Sequence, residues 1–282
     1  MTDQPQYASV DFRALRQAMF EAKSNKYEEL TTDIDTIFHY FWMQAQLTKF
    51  SVNNVLLILH QRTGASDVRT FEDWAKEGLS VKKGEQAIRI FEPEKREDGK
   101  TGFKVASVFD ITQTTGEYVW NPICDHPLTH VKALTLVAGC EMAHFTDPNF
   151  KYPVSYIPEK NIFAIRLSDD HALLMKYAAE NAVYRLREQN KLPYYLKDDK
   201  ETKTNSARLA AQLYICRYGI RDTFGLTESM QTLAQLDPGE REEILGQARK
   251  DFLYVMEHAE ALFPNLSANY PLRDETLEGN EI

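Results

Sequence analysis

Cysteine is scarce: Cys124, Cys140 and Cys216 are the only 3 in 282 residues. They are too few and too scattered for a disulfide framework, and no C-x-x-C pair is present for redox or zinc chemistry. No apolar run approaches the roughly 18 residues that a membrane span needs. The polar start Met1-Thr2-Asp3-Gln4-Pro5 is followed by no apolar stretch, so no signal peptide is expected and the protein reads as cytoplasmic. Nucleophile and phosphate motifs are missing too, with no G-x-S-x-G, no G-x-x-x-x-G-K-[ST] and no G-x-G-x-x-G. None of the 7 histidines begins an H-E-x-x-H helix. None of the enzyme classes that carry these motifs is signalled.

What is present is enough apolar chain, 43% of the residues, to build a core, with 27% charged. The length suits two domains. Net charge is −9 and argues at first against a nucleic-acid partner. From Asp222 onward, however, 13 acidic residues face 4 basic ones, leaving the first 221 residues balanced at 29 of each. At physiological salt the Debye length is roughly 8 Å, so an acidic tail need not repel a strand bound elsewhere.

The hydrophobic pattern is α+β. Two helices are expected between Val10 and Phe50. A buried helix follows, capped by Ser51, and another is capped by Thr70 and ended by Gly78. Strands are expected over Ala87–Phe91 and Phe103–Phe109, around a charged loop from Glu92 to Lys100. Phe91 and Phe103 alternate like core-facing residues. Asn121–Pro127, with two prolines, marks a boundary between domains 1–122 and 123–282. Beyond it come a helix from Thr129 to Phe145, a strand pair over Val154–Ile157 and Ile162–Leu167, helices over His171–Gln189 and Ser206–Tyr218, and a long acidic helix over Gly239–Leu262.

Two constellations carry chemistry. Cys124-x-His126-x-x-x-His130 has two histidines at zinc spacing, but Pro127 places His126 outside the helix and too few further ligands are visible. Cys140-x-x-x-His144 is weaker still. Between Gly64 and Lys104, cations interleave with Phe71, Trp74, Phe91 and Phe103, the mixture that single-stranded nucleic-acid sites use. Nearly as many acids share the segment, so composition alone favours a solvated surface over a core.

The order of residues adds to this. Phe50-Ser51-x-x-Asn54-x-Leu56-Leu57-Ile58-x-x-Gln61 is followed by Thr70-Phe71-x-x-Trp74-x-x-x-Gly78, Val81-x-Lys83-Gly84-Glu85, Ile88-x-Ile90-x-x-Pro93 and Val108-Phe109-Asp110-Ile111-x-Gln113-Thr114-x-Gly116. This string resembles the N-terminal domain of ArdC-type antirestriction proteins of conjugative plasmids and related mobile elements. The resemblance implies a small antiparallel sheet with flanking helices that binds single-stranded DNA and protects incoming DNA from restriction. Lys82, Lys83 and Arg89 are then candidates for phosphate contacts, with Gly84 allowing close backbone approach. Asn54 and Gln61 offer amides to a base, Gln113 and Thr114 sit in a loop that follows a strand, and Trp74 is the candidate stacking ring, weighed against an ordinary core position.

The C-terminal half of that family looks like a zinc metallopeptidase. Here Tyr156-Ile157-Pro158-x-x-x-Ile162 resembles the preceding strand pair. In the helix that follows, Ala179 and Val183 stand where the histidines belong, and only Glu180 remains. The next helix, Ser206–Cys216, has no carboxylate at the ligand position. A glutamate without a metal has no polarised carbonyl to serve, so the expectation is a mostly helical, degenerate, non-catalytic domain with no metal and no cofactor. The expected partner is single-stranded DNA. The alternative is a protein partner docking on the acidic C-terminal helix, and a third reading is a metal hydrolase built on Cys124, His126 and His130.

Overall fold

The structure is a computed structural model that describes residues 11–95, 99–116, 126–145, 152–166, 170–197, 199–222 and 225–266. The expected boundary at residues 121–125, including Cys124, lies outside the described residues.

Local signals set most element starts. Helices α1 (Phe12–Glu29) and α2 (Ile34–Gln46) begin at Asp11 and Asp33, whose carboxylates accept the first free N–H groups. Ser51 caps α3 (Val52–Gln61), and Thr70 caps the short α4 (Phe71–Lys76). Strands β1 (Val68–Arg69), β2 (Ile88–Lys95) and β3 (Thr101–Asp110) form an antiparallel sheet of order β1-β3-β2. Both hairpin strands reach farther toward the tip than expected, because Glu92–Lys95 pairs with Thr101–Lys104. Phe103 is not a core residue but 53% exposed. Alternation separates two faces of a strand without saying which one meets the core.

The second set opens with α5 (Pro127–Val137), which stops eight residues short of the expected end. Gly139 adopts φ +68 there, and Glu141–His144 becomes β4. Strands β5 (Val154–Ile157) and β6 (Ile162–Ile165) pair antiparallel, while β4 adds parallel to the other edge of β6. Helices α6 (His171–Glu188), α7 (Lys200–Arg217), α8 (Leu226–Ala234) and α9 (Pro238–Leu262) follow. No described helix is long and apolar enough to cross a membrane.

One hydrophobic cluster runs through both sets of elements, from Tyr27 and Phe41 to Leu213 and Phe252. The polar contacts follow it: Gln46 Nε2 donates to the Cys216 carbonyl (3.1 Å), and Arg249 to that of Thr48. The acidic helix α9 is a main packing element of the C-terminal half, against α7 and α5. It buries Ile244, Leu245, Ala248, Phe252, Val255, Met256 and Ala259. Its acids are largely engaged: Glu240 with Lys197, Glu242 with Lys23 and Asn53, Glu260 with Tyr218.

Candidate nucleic-acid interface

A cleft of about 620 Å³ lies between the C-terminal end of α3, the loop before β2 and the 3₁₀ turn after β3. Three of the candidate residues, Gln61, Lys83 and Gln113, line it together with His60, Arg62 and Glu85. Its floor is fixed by Asp110, 1% exposed, which accepts from the Ser66 N–H (2.8 Å) and the Thr112 N–H (3.0 Å). Gln113 closes the capping box by accepting the Asp110 N–H (2.9 Å), and donates to Glu85 (2.9 Å) and the Gln86 carbonyl (2.8 Å). Buried Thr114 donates to Ile111 (2.8 Å) and bridges to Val81. Gln113 and Thr114 thus hold the loop and present no free polar group to a strand.

The amides of α3 are used in the same way. Asn54 Nδ2 donates to the Phe91 carbonyl (2.8 Å) while its Oδ1 accepts the Phe91 N–H (3.0 Å). Gln61 repeats this two residues earlier, donating to the Arg89 carbonyl (2.9 Å) and accepting its N–H (2.8 Å). Two amides at helical spacing imitate a neighbouring strand and satisfy the free edge of β2. Trp74 is 1% exposed, gives its indole N–H to Phe109 (2.9 Å) and lies beneath the Arg69 guanidinium at 4.7 Å. It offers no open face to a base.

The cations differ from these. Lys82 and Lys83 are exposed on a tight turn in which Glu85 N–H donates to the Lys82 carbonyl (3.3 Å). Gly84 takes φ +91 there with nothing within 4 Å of a would-be Cβ, so it serves the turn and not a close approach. Lys82 Nζ reaches the Thr112 carbonyl (3.2 Å), and Arg62 donates to Thr112 Oγ1 (2.7 Å). Arg62, Lys82 and Lys83 therefore meet at one rim, opposed by Glu85 and by buried Asp110, whose carboxylate lies 3.8 Å from Arg62. Arg89 donates to Ser107 across the hairpin. A second groove of about 430 Å³ sets Lys49, Arg69 and Lys76 against Asp73, Glu77 and Glu92, with Arg69 paired to Asp67 and Glu77 and Lys76 to Asp73. Of these two grooves, the first keeps the cationic excess. His60 and Arg62 were missed by the sequence reading, although both flank Gln61 at the helix end, where cations meet the last carbonyls.

Residues 21–123 match the family model described as the N-terminal domain of anti-restriction factor ArdC. Over this stretch the chain is similar to ArdC. Two crystal structures of the antirestriction ArdC protein from plasmid R388 share the wider fold. The metal-free one has TM-score 0.53 at 14% identity, covering 86% of this chain and 99% of that one. The Mn(II)-bound one has TM-score 0.51 at 14% identity, covering 83% and 97%. No curated protein matches.

One of these ArdC structures carries Mn(II). Ala179 and Val183 on α6 are each 1% exposed and belong to the core. Glu180 faces Arg208 (3.6 Å), which also holds Glu228 (2.6 Å), and buried Lys176 precedes Glu180 by one turn. Burial raises the Glu180 carboxyl and lowers the Lys176 ammonium, each opposed by its charged neighbours. Apolar side chains and two cations do not fit a divalent metal. Among the described residues no group of three His, Cys, Asp or Glu converges on one point.

His126 is the N-cap of α5 and exposed, whereas His130 is buried, its Nδ1 3.2 Å from the Tyr214 hydroxyl and its ring 4.3 Å from that of Tyr218. Burial, with His126 nearby, pushes the His130 pKa down to about 4. The folded state therefore keeps this imidazole neutral, and the unfolded chain binds a proton more readily. Stability from this group is complete above the unfolded value near 6.5 and is lost as pH falls toward 4, by about 2–3 kcal/mol at pH 4.5. Urea unfolding at pH 7 and 4.5 checks this: His130→Gln should show the smaller difference.

Proposed function

We propose that the protein binds single-stranded DNA of a mobile element and shields it from restriction by occupying the strand, without breaking a bond. The observation that carries this reading is the rim of Arg62, Lys82 and Lys83, three cations against Glu85 and Asp110, in a stretch similar to the ArdC N-terminal domain. Lysines on a turn and an arginine at a helix end can replace counterions along a phosphate chain. The side chains around Glu180 (Ala179, Val183, Lys176 and Arg208) support occlusion over metal-assisted hydrolysis. The protein-docking alternative is weaker, because Glu240, Glu242, Asp251 and Glu260 of α9 are already engaged within the fold.

Fluorescence anisotropy with a labelled 30-mer, single-stranded and duplex, tests the proposal at low and physiological salt. Tighter binding to the single strand with a steep salt dependence is expected. Lys82→Ala and Lys83→Ala should each flatten the log–log slope by about 0.7, the share of one phosphate contact on a single strand. Equal binding to duplex, or none to either, sinks the reading.

A further inference from the structure

The two faces of the β2–β3 hairpin differ in kind. Register sets Arg89 opposite Ser107, Phe91 opposite Val105, and Pro93 opposite Phe103. Paired residues project to the same side. The other side carries Ile88, Ile90 and Val108 into the core, so the side with Phe91 and Phe103 faces outward. The first half of α1 lies along it: Phe20 stacks on Phe91 with ring centroids 5.0 Å apart, and Arg16 donates to the Phe103 carbonyl (2.9 Å). Phe12, Phe20 and Phe103 are 65%, 48% and 53% exposed. Single exposed apolar residues are ordinary, but three large rings on adjoining elements make a patch.

On the outward side of the hairpin the charge has one sign. Arg89 and Lys95 share the outward side of β2, and no acidic residue of the paired strands projects there. Glu92 and Glu94 project to the other side, where Glu92 meets Lys104 at 3.7 Å. On α1 the face that carries Phe12, Arg16 and Phe20 also carries Lys23, whose Nζ lies 5.9 Å from the Phe20 ring.

We propose that Phe12, Phe20, Phe91 and Phe103 form a base-stacking platform for single-stranded nucleic acid, collared by Arg16, Arg89 and Lys95. Flat rings without a hydrogen-bond code accept any unstacked base, and the cations face the phosphates between them. A duplex keeps its base faces covered and cannot use the platform. Arg89 joins the two surfaces: Gln61 on the cleft wall clasps its backbone, while its guanidinium reaches Ser107 on the platform side. A strand anchored at Lys83 therefore has a continuous path onto the rings. This inference rests on the single-stranded DNA reading and names the part of the protein that takes the bases.

The test uses the full chain, a labelled oligo-dT 30-mer and an abasic 30-mer with the same number of phosphates. Wild type should prefer the base-bearing strand by at least about fivefold, the smallest effect expected for one stacked base. Phe103→Ala and Phe20→Ala should each lose about fivefold or more on oligo-dT and little on the abasic strand, with unchanged salt slopes. Phe103→Leu, which keeps apolar bulk without a flat ring, should resemble Phe103→Ala. If wild type binds oligo-dT and these variants bind it equally well, the platform is wrong and the reading of the cleft stands. Equal losses on both strands would also overturn stacking, since the rings would then be acting through the fold or the phosphates. Failure of wild type to bind either strand removes both proposals together.

Discussion

Trp74→Ala should destabilise the protein by about 3–5 kcal/mol, the range for deleting a fully buried aromatic side chain. The ring is 1% exposed and is held from three directions. Its N–H donates to Phe109 in β3 (2.9 Å), the Arg69 guanidinium covers one face, and the short α4 supplies its backbone. A six-residue helix has little stability of its own, so α4 depends on this anchor. Trp74→Phe separates the packing role from any role in binding. It preserves most of the apolar volume but leaves the Phe109 carbonyl without its donor, at a cost of about 1–3 kcal/mol. Under conditions where that variant is folded, its affinity for single-stranded DNA should equal that of wild type. A tenfold loss of affinity at wild-type stability would instead make Trp74 a stacking residue. Urea midpoints and anisotropy on the same preparations provide both readings.

What could be read in the sequence was local, and what could not was a pairing across distance. Ser51 and Thr70 announce helix starts because a cap needs only its own next three residues, and both hydroxyls accept the expected N–H groups. Asn54 and Gln61 were visible as amides on one helix side, yet their partners, Phe91 and Arg89, lie far along the chain. Nothing local distinguishes an amide that reads a base from one that completes a sheet edge. Phe103 shows the same limit: period-two alternation gave the grouping of its strand but not the sign of its face. Strand β4 was hidden inside an apparent helix because its parallel partner, β6, lies beyond β5, and only Gly139 marks the break. The cationic rim was half legible. Lys82 and Lys83 stand on a turn that Gly84 signals, whereas Arg62 belongs to it through Thr112 and Asp110, on a loop that arrives only after β3.

The acidic helix shows how misleading composition can be, and two of its carboxylates should behave in opposite ways. Asp251, 1% exposed, pairs with Arg187 of α6 and accepts from Gln247 Nε2 (2.9 Å). Arg187 also donates to the Lys203 carbonyl (2.9 Å) and Ser206 Oγ (2.9 Å) of α7, and lies 4.6 Å from the Tyr194 ring. One ion pair thus ties three helices. Asp251→Ala would leave a guanidinium that is itself only 7% exposed without its counter-charge, and should cost about 3–5 kcal/mol. Glu257, exposed on the same helix, should tolerate Gln within about 0.5 kcal/mol. The pair Asp251→Leu with Arg187→Met should recover much of the loss, because desolvating two charges consumes most of what their attraction returns. Chemical denaturation of the three variants measures these differences. If Asp251→Ala were as benign as Glu257→Gln, α9 would be a surface element, and its acids would again be available to a basic partner. If the costs separate as expected, deleting the chain beyond Gly239 removes part of the core, and a resulting loss of function says nothing about docking.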